Sequence, residues 1–338
     1  MRSEITIDLG ALRRNVRTLL RQAEGAQVWA VVKADAYGHG AVDCAGAALG
    51  AGASVLCVAT VPEALELRRE FLDARILVMG PQSNREIAQA REAQLALVVS
   101  GDDIPEGIAV HVKLDTGMGR WGASELPAPA REVVGVMTHL ATADTDLDFA
   151  RRQIERFREA TDPVAHLTRH VANSAATLRL PESHFDAVRC GIALYGLSPF
   201  GGDALDDGLE PVLSWTSEIA LAKLLQAGES TGYGRRFLAE RPTWIGIVPV
   251  GYADGFRRDL TGTEVRVAGE PRRVIGTISM DSIAVELERE LPPGTPVTIV
   301  GRGVPLEEHA RVAGTINYEL ACGLVSSPTR ARRVVADS

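Results

Sequence analysis

Lys33 ends an apolar run, VWAVVK (28–33), and is followed by ADAYGHG. A lysine at a strand end either snorkels into water or stands where it can condense with a carbonyl group. Its neighbours favour the second use: Tyr37 offers a phenol, and Gly38 and Gly40 let backbone approach a ligand closely. Four further apolar runs end in reactive groups. AVHVKLD carries Lys113 and Asp115 and leads through TGMGR to Arg120. VVGVMTHL ends near Thr138 and His139, HLTRHVAN leads to Asn173 and Ser174, and AVRCGIAL contains Arg189, Cys190 and Gly191. A hydroxyl at the predicted helix start of Ser174, with the backbone amides of Gly191 and Ile192, forms a seat for phosphate. A carbonyl-trapping lysine opposite a phosphate seat is what pyridoxal phosphate requires.

These groups need a scaffold that brings five strand ends to one rim. Eight short runs recur, at 28–33, 54–59, 75–80, 95–100, 109–115, 133–140, 166–173 and 187–194. They are rich in Val, Ile and Leu and mostly lack strict alternation, as expected of parallel strands buried on both faces. Amphipathic stretches separate several of them. PEALELRREF follows Val61, and DFARRQIERFREA begins at Asp148, with Phe149, Ile154 and Phe157 along one face. The connection 121–130 reads as weakly helical. Eight such units in roughly 190 residues predict a closed (β/α)₈ TIM-like barrel near that fold's lower size limit, over residues 8–212. An open doubly wound sheet is the alternative.

From Leu213 the texture changes. TWIGIVPVGYADG, EVRVAG, RRVIGTISMDSIAVEL and TPVTIVG read as antiparallel strands punctuated by Gly and Pro. A helical patch, PLEEHARVAGTINYELACGL, and a last strand, ARRVVAD, follow. Residues 213–338 are therefore expected to form a mostly β C-terminal domain, joined by the N-terminal strand 1–7.

Composition narrows the function. Among 338 residues, 46% are hydrophobic and 24% charged, as in globular proteins. A net charge of −8 argues against nucleic-acid and anionic-membrane partners, which need a basic surface. No apolar run approaches the ~20 residues needed to span a bilayer, and no secretion leader is apparent, so a cytoplasmic location is expected. Cys44, Cys57, Cys190 and Cys322 lack metal-ligand spacing and read as reduced cysteines, mostly buried; no metal site is expected.

The strings AVVKADAYGHG, KLDTGMGR, THLATAD, NSAA, VRCGIALYG, VPVGYADG, MD and INYEL, in this order from Lys33 to Leu320, are similar to those of alanine racemases, and the resemblance spans essentially the whole chain. It implies a homodimeric isomerase that interconverts L- and D-alanine by a two-base mechanism and supplies D-alanine for peptidoglycan. Lys33 would carry pyridoxal 5'-phosphate as an internal aldimine and serve one face of the substrate. Tyr233, in STGYG, resembles the tyrosine that serves the opposite face from the neighbouring subunit. Tyr37, Ser174, Gly191, Ile192 and Tyr318 match the phosphate-binding set, and Asn173 stands beside it. Arg189 matches the arginine at the pyridine nitrogen, and His139 the histidine linking it to the catalytic tyrosine. Arg120 and the backbone of Met280 match groups on the substrate carboxylate, and Lys113 the lysine, often carbamylated, that positions Arg120. Tyr252 and Tyr318 resemble an aromatic gate.

The chain departs from the family pattern three residues before the Met-Asp pair, where Thr277 replaces an arginine of the entry corridor that also takes in Asp144 and Arg258. Substrate breadth is therefore open, and a broad-specificity or serine racemase is the nearest alternative. A non-catalytic cofactor carrier of similar barrel lacks a second domain, and a decarboxylase of related layout is not matched by the Lys33-to-Tyr233 motif set.

Overall fold

A computed structural model describes residues 2–338 as two compact units. One comprises Leu12–Phe200 and Ala204–Glu210. The other comprises the N-terminal residues through Ala11, Gly201–Asp203 and Pro211–Ser338.

The first unit is a closed barrel of eight parallel strands: Gln27–Val31, Val55–Val58, Ile76–Val78, Ala96–Val99, Ala109–Lys113, Val133–Met137, Thr168–His170 and Ala187–Cys190. Each falls within one of the eight apolar runs, give or take a residue at its start. Closure comes from the last strand pairing with the first, Gln27 opposite Ala187 and Trp29 opposite Arg189, which excludes the open sheet. Strands such as Val55–Val58 and Ala187–Cys190 are buried at every position, because helices cover the outside and side chains fill the inside.

The helices between the strands start where the sequence offers caps. Thr60 opens the helix Val61–Glu70 through a capping box: its hydroxyl accepts the Glu63 N–H, and the Glu63 carboxylate accepts the Thr60 N–H. Ser83 and Glu86 repeat the device for Asn84–Glu92. Leu147–Thr161 starts at Asp146 and buries Ile154 and Phe157, with Phe149 half-buried. Between Lys113 and Val133 no helix forms.

The second unit is built on a nine-stranded sheet. In spatial order its strands are Leu221–Leu225, Thr243–Val248, Ile283–Leu287, Glu270–Ile275, Glu264–Val267, Pro296–Val300, Leu213–Glu218, Ser3–Asp8 and Arg332–Ala336. All neighbours are antiparallel except the last pair. Ser3–Asp8 alternates buried and half-buried residues, the period-2 pattern of a strand with one face on a core. Ile5, Ile7, Trp215 and Phe256 are fully buried. Two helices, Leu306–Ala313 and Asn317–Cys322, precede the final strand. No disulfide joins the cysteines among the described residues, and Cys322 alone of the four is exposed.

Candidate active site

Lys33 opens a turn with unusual backbone. Ala34, Asp35, Ala36 and Tyr37 have φ of 50–55° and ψ of 40–51°, so four successive L-residues describe a turn of left-handed helix. Left-handed geometry brings Cβ against the following carbonyl, at about 1–2 kcal/mol per residue. Four residues together carry strain comparable to a good part of a domain's net stability, about 5–15 kcal/mol. Such strain persists only where surroundings over-determine it. Here they do. The Asp35 carboxylate accepts the Ala41 N–H at 2.7 Å, and Glu63 accepts the Ala34 N–H at 2.8 Å. Buried His39 turns Nδ1 toward the carbonyls of Ala36 and Tyr37, at 3.0 and 2.9 Å. Both partners are acceptors, so Nδ1 carries the proton. Tyr195 stacks on His39 with centroids 4.6 Å apart, lies 5.1 Å from Tyr37, and donates its hydroxyl to the Val31 carbonyl at 2.7 Å.

The same turn delivers Tyr37 to the phosphate seat. A Cβ on Gly191 would lie 2.5 Å from the Tyr37 phenol oxygen, so only glycine leaves that space. Ser174 Oγ accepts the Gly191 N–H at 3.0 Å and the Ala193 N–H at 3.4 Å. Ile192 begins a short 3-10 helix, whose first amides have no partner within that helix. Tyr37, Ser174, Gly191 and Ile192 thus gather hydroxyl and amide groups around a cradle that a Cβ would fill. That donor set fits the phosphate of pyridoxal phosphate. Asn173 acts as a helix cap instead, its side chain accepting the Ala176 N–H at 3.0 Å at the start of Ser174–Arg179.

Arg189 is buried inside the barrel with five acceptors around it. It donates to the carbonyls of His170 (2.7 Å), Thr138 (2.9 Å) and Val171 (3.1 Å), and to Nδ1 of His170 (2.9 Å). His139 Nδ1 lies 3.4 Å from the same guanidinium. A guanidinium only donates, so Nδ1 of neutral His170 accepts and its proton sits on Nε2. That Nε2 donates to Nδ1 of His111 at 2.9 Å. Trp29 packs on both imidazoles, with centroids 4.4 Å from His170 and 5.6 Å from His111. Gly135 makes room, since a Cβ there would strike His111 Nδ1 at 2.2 Å. Burial and then the Arg189 cation hold His139 down to about 3 and push His170 well below the usual histidine range. Burial followed by Arg75 and Arg189 lowers His111 to about 4. All three are neutral near pH 7. Burial lowers Arg189 to about 10, which leaves it cationic there.

Lys113 is buried at the end of its strand, and desolvation, then Arg120, lowers it to about 8. The loop that follows is clasped by Asp115, whose carboxylate accepts the N–H groups of Gly117, Met118 and Gly119 at 2.8–3.1 Å. Trp121 lies under both cations, 5.3 Å from Arg120 Cζ and 5.9 Å from Lys113 Nζ.

The structure therefore brings Lys33, Tyr37, Lys113, Arg120, His139, Ser174, Arg189, Gly191 and Ile192 to the strands of one barrel and the loops that follow them. Tyr233, Tyr252, Met280 and Tyr318 belong to the second unit. Tyr233 is 73% exposed, on a turn pressed against Thr277, whose hydroxyl donates to the Tyr233 carbonyl. Tyr252 and Met280 share one backbone cluster, in which the Tyr252 N–H donates to the Ser279 carbonyl and the Ala253 N–H to that of Met280. Among the described residues no group of His, Cys, Asp and Glu is arranged to hold a metal, and no helix is long and apolar enough to cross a membrane.

Sequence reasoning missed His111, His170, Glu63 and Tyr195. His111 had a signal: it stands two residues before Lys113 in one strand, so both face the barrel interior. Glu63 read only as part of an amphipathic helix.

Comparison with known proteins covers both units. Residues 7–199 match the family model described as "Alanine racemase, N-terminal domain", and 212–334 match "Alanine racemase, C-terminal domain". The chain is 41% identical to alanine racemase 1 of Bacillus subtilis, over 96% of this chain and 91% of that one. It superposes on the crystal structure of alanine racemase from D-cycloserine-producing Streptomyces lavendulae with a TM-score of 0.91, at 37% identity, covering 100% of this chain and 98% of that chain. For the Bacillus anthracis alanine racemase with bound L-Ala-P the values are 0.88, 36%, 99% and 95%.

Proposed function

The chain belongs to the alanine racemase family, and from that premise we propose that it interconverts L- and D-alanine with pyridoxal phosphate held on Lys33. The observation that carries this reading is the strained left-handed turn, which sets Lys33 at a barrel strand end and Tyr37 against the Ser174–Gly191 cradle. Tyr37, Ser174 and the Ile192 amide would hold the phosphate, with Gly191 leaving the space for it.

Bound there, pyridoxal phosphate supplies an electron sink that makes the Cα–H bond of an attached amino acid acidic. Racemisation then needs a proton removed from one face and another delivered to the opposite face. Lys33 takes one face. Tyr233 of the partner subunit takes the other, in a homodimer that shares its sites. Arg120 would hold the substrate carboxylate, and Lys113 would set Arg120. Arg189 would face the pyridine nitrogen. A guanidinium gives up its proton reluctantly, so Arg189 would leave the pyridine nitrogen without a proton and would limit the electron demand the cofactor supplies. That restraint favours return of the proton to Cα over side transamination. The neutral state of His139 beside Arg189 suits a link between that cation and a tyrosine acting as base. The product would serve peptidoglycan synthesis in the cytoplasm.

The test is direct. Protein supplied with pyridoxal phosphate should be yellow, borohydride should fix the cofactor irreversibly, and peptide mapping should place it on Lys33. L- and D-alanine should each racemise. Label on another lysine, or no racemisation of alanine, overturns the reading. An amino-acid panel in the same assay separates an alanine-specific enzyme from a serine or broad-specificity racemase.

A further inference from the structure

The left-handed turn raises a question of handedness. Ala-Asp-Ala-Tyr contains no glycine, and alanine is the strongest right-handed helix former. Something outside residues 34–37 must select the left hand, and it must act where the turn leaves Lys33. A side chain from another element is hydrogen-bonded at that point. Glu63 Oε1 accepts the Ala34 N–H at 2.8 Å. Its other oxygen accepts the N–H groups of Ala59, at 2.8 Å, and Thr60, at 3.0 Å.

We infer that Glu63 is a positioning residue for Lys33: its carboxylate fixes the Lys33–Ala34 peptide plane and so sets the direction in which the lysine leaves the barrel. The inference rests on the cofactor-lysine reading above and deepens it. The geometry explains why a carboxylate is needed. Three N–H groups converge on two oxygens, and Glu63 presents acceptors alone. Ala59 and Thr60 follow the strand Val55–Val58, which pairs with Gln27–Val31, the strand that leads to Lys33. One side chain thus ties the exits of two adjacent barrel strands together. The helix behind Glu63 holds it in place through the capping box with Thr60. Asp35, His39 and Tyr195 secure later parts of the turn, and Glu63 secures its first peptide.

Glu63→Gln separates the two duties of this side chain. An amide has one acceptor oxygen, which stays with the two donors Ala59 and Thr60. Its NH₂ then faces the Ala34 N–H, donor against donor. The helix cap survives and the clamp on Ala34 is lost. Thr60→Ala does the reverse, removing the cap hydroxyl and leaving the clamp. Two readouts follow, neither of them turnover. Amide hydrogen exchange at Ala34, measured without cofactor, should be slow in the wild-type chain and in Thr60→Ala. It should be about tenfold faster in Glu63→Gln, the size expected of one charge-assisted hydrogen bond. The rate at which added pyridoxal phosphate becomes fixable to Lys33 by borohydride should fall about tenfold in Glu63→Gln, by the loss of that same bond, and stay at the wild-type value in Thr60→Ala. Wild-type attachment rates in Glu63→Gln overturn the inference. So does an Ala34 amide in the wild-type chain that exchanges as fast as an open loop, a measurement that needs no variant to fold. Failure of the wild-type chain to attach cofactor at Lys33 overturns the cofactor reading instead, and leaves the exchange measurement to decide the clamp.

Discussion

Thr277 Oγ1 donates a 2.7 Å hydrogen bond to the backbone carbonyl of Tyr233. The turn bearing Tyr233 lies so close that a Cβ on Gly232 would sit 2.8 Å from the Thr277 nitrogen. Thr277 therefore touches the residue proposed as the second base. A neutral hydroxyl–carbonyl bond contributes about 1 kcal/mol, a factor of about five. Thr277→Val should lower kcat/KM for alanine about fivefold on that basis, and Thr277→Ser, which keeps the hydroxyl, should hold it near wild type. Equal loss in both variants would show that the hydroxyl does not hold Tyr233.

Gly191 provides a test of the phosphate cradle. Its φ of −117° is not left-handed, and the Gly191→Ala test rests on the crowding that a methyl meets there. The new methyl would lie 2.5 Å from the Tyr37 hydroxyl and push the ring aside. Overpacking of this kind costs about 1–3 kcal/mol. Cofactor titration should show affinity reduced at least about fivefold, the equivalent of the lower end of that cost, since about 1.4 kcal/mol is a factor of ten. An unchanged dissociation constant would place the phosphate elsewhere.

The histidines whose protonation burial and the Arg189 cation oppose predict a pH dependence of stability. Above the ordinary histidine value of about 6.5 they are neutral folded and unfolded, and contribute no slope. Below it the unfolded chain binds protons that folded His111, lowered to about 4, and His139, lowered to about 3, refuse; His170 shifts the same way. Stability should fall as pH drops from about 6.5 to about 5, a window in which most carboxylates stay ionised. Each histidine adds up to about 1.4 kcal/mol per pH unit. His111→Gln removes one titrating group, so its unfolding free energy should be lower at a pH of about 7.5 yet fall less steeply toward about 5. Parallel curves for the two proteins would show that His111 is not held neutral.

The shared-site proposal is tested by mixing lesions. Lys33→Ala and Tyr233→Phe homodimers should each be nearly inactive. In a tagged mixed dimer, one site combines an intact Lys33 with an intact Tyr233 of the partner subunit, and the other site carries both lesions. The mixed dimer should recover up to about half of the wild-type activity, since one site in two is whole. Activity no higher than in the parent homodimers would assign Tyr233 to its own subunit's site.

Much of this molecule is legible in the chain itself. Continuous apolar runs such as SVLCVA mark strands buried on both faces, and eight in succession imply a closed barrel, because burial on two sides is written in local hydrophobicity. Lys33, Arg189 and Ser174 could be singled out because strand ends in a barrel share one rim. What only the tertiary structure decided is of another kind. Ala34–Tyr37 contain no glycine, yet wind to the left because Glu63, 29 residues from Ala34 in the chain, and Tyr195 hold them so. His111 and His170 are 59 residues apart, and their bond exists because barrel closure aims both rings inward beneath Arg189. Propensity and hydrophobic period act over a few residues and can be read in order. Strain and buried hydrogen bonds depend on which distant groups the closed barrel brings within about 3 Å of each other, and no local pattern encodes that distance.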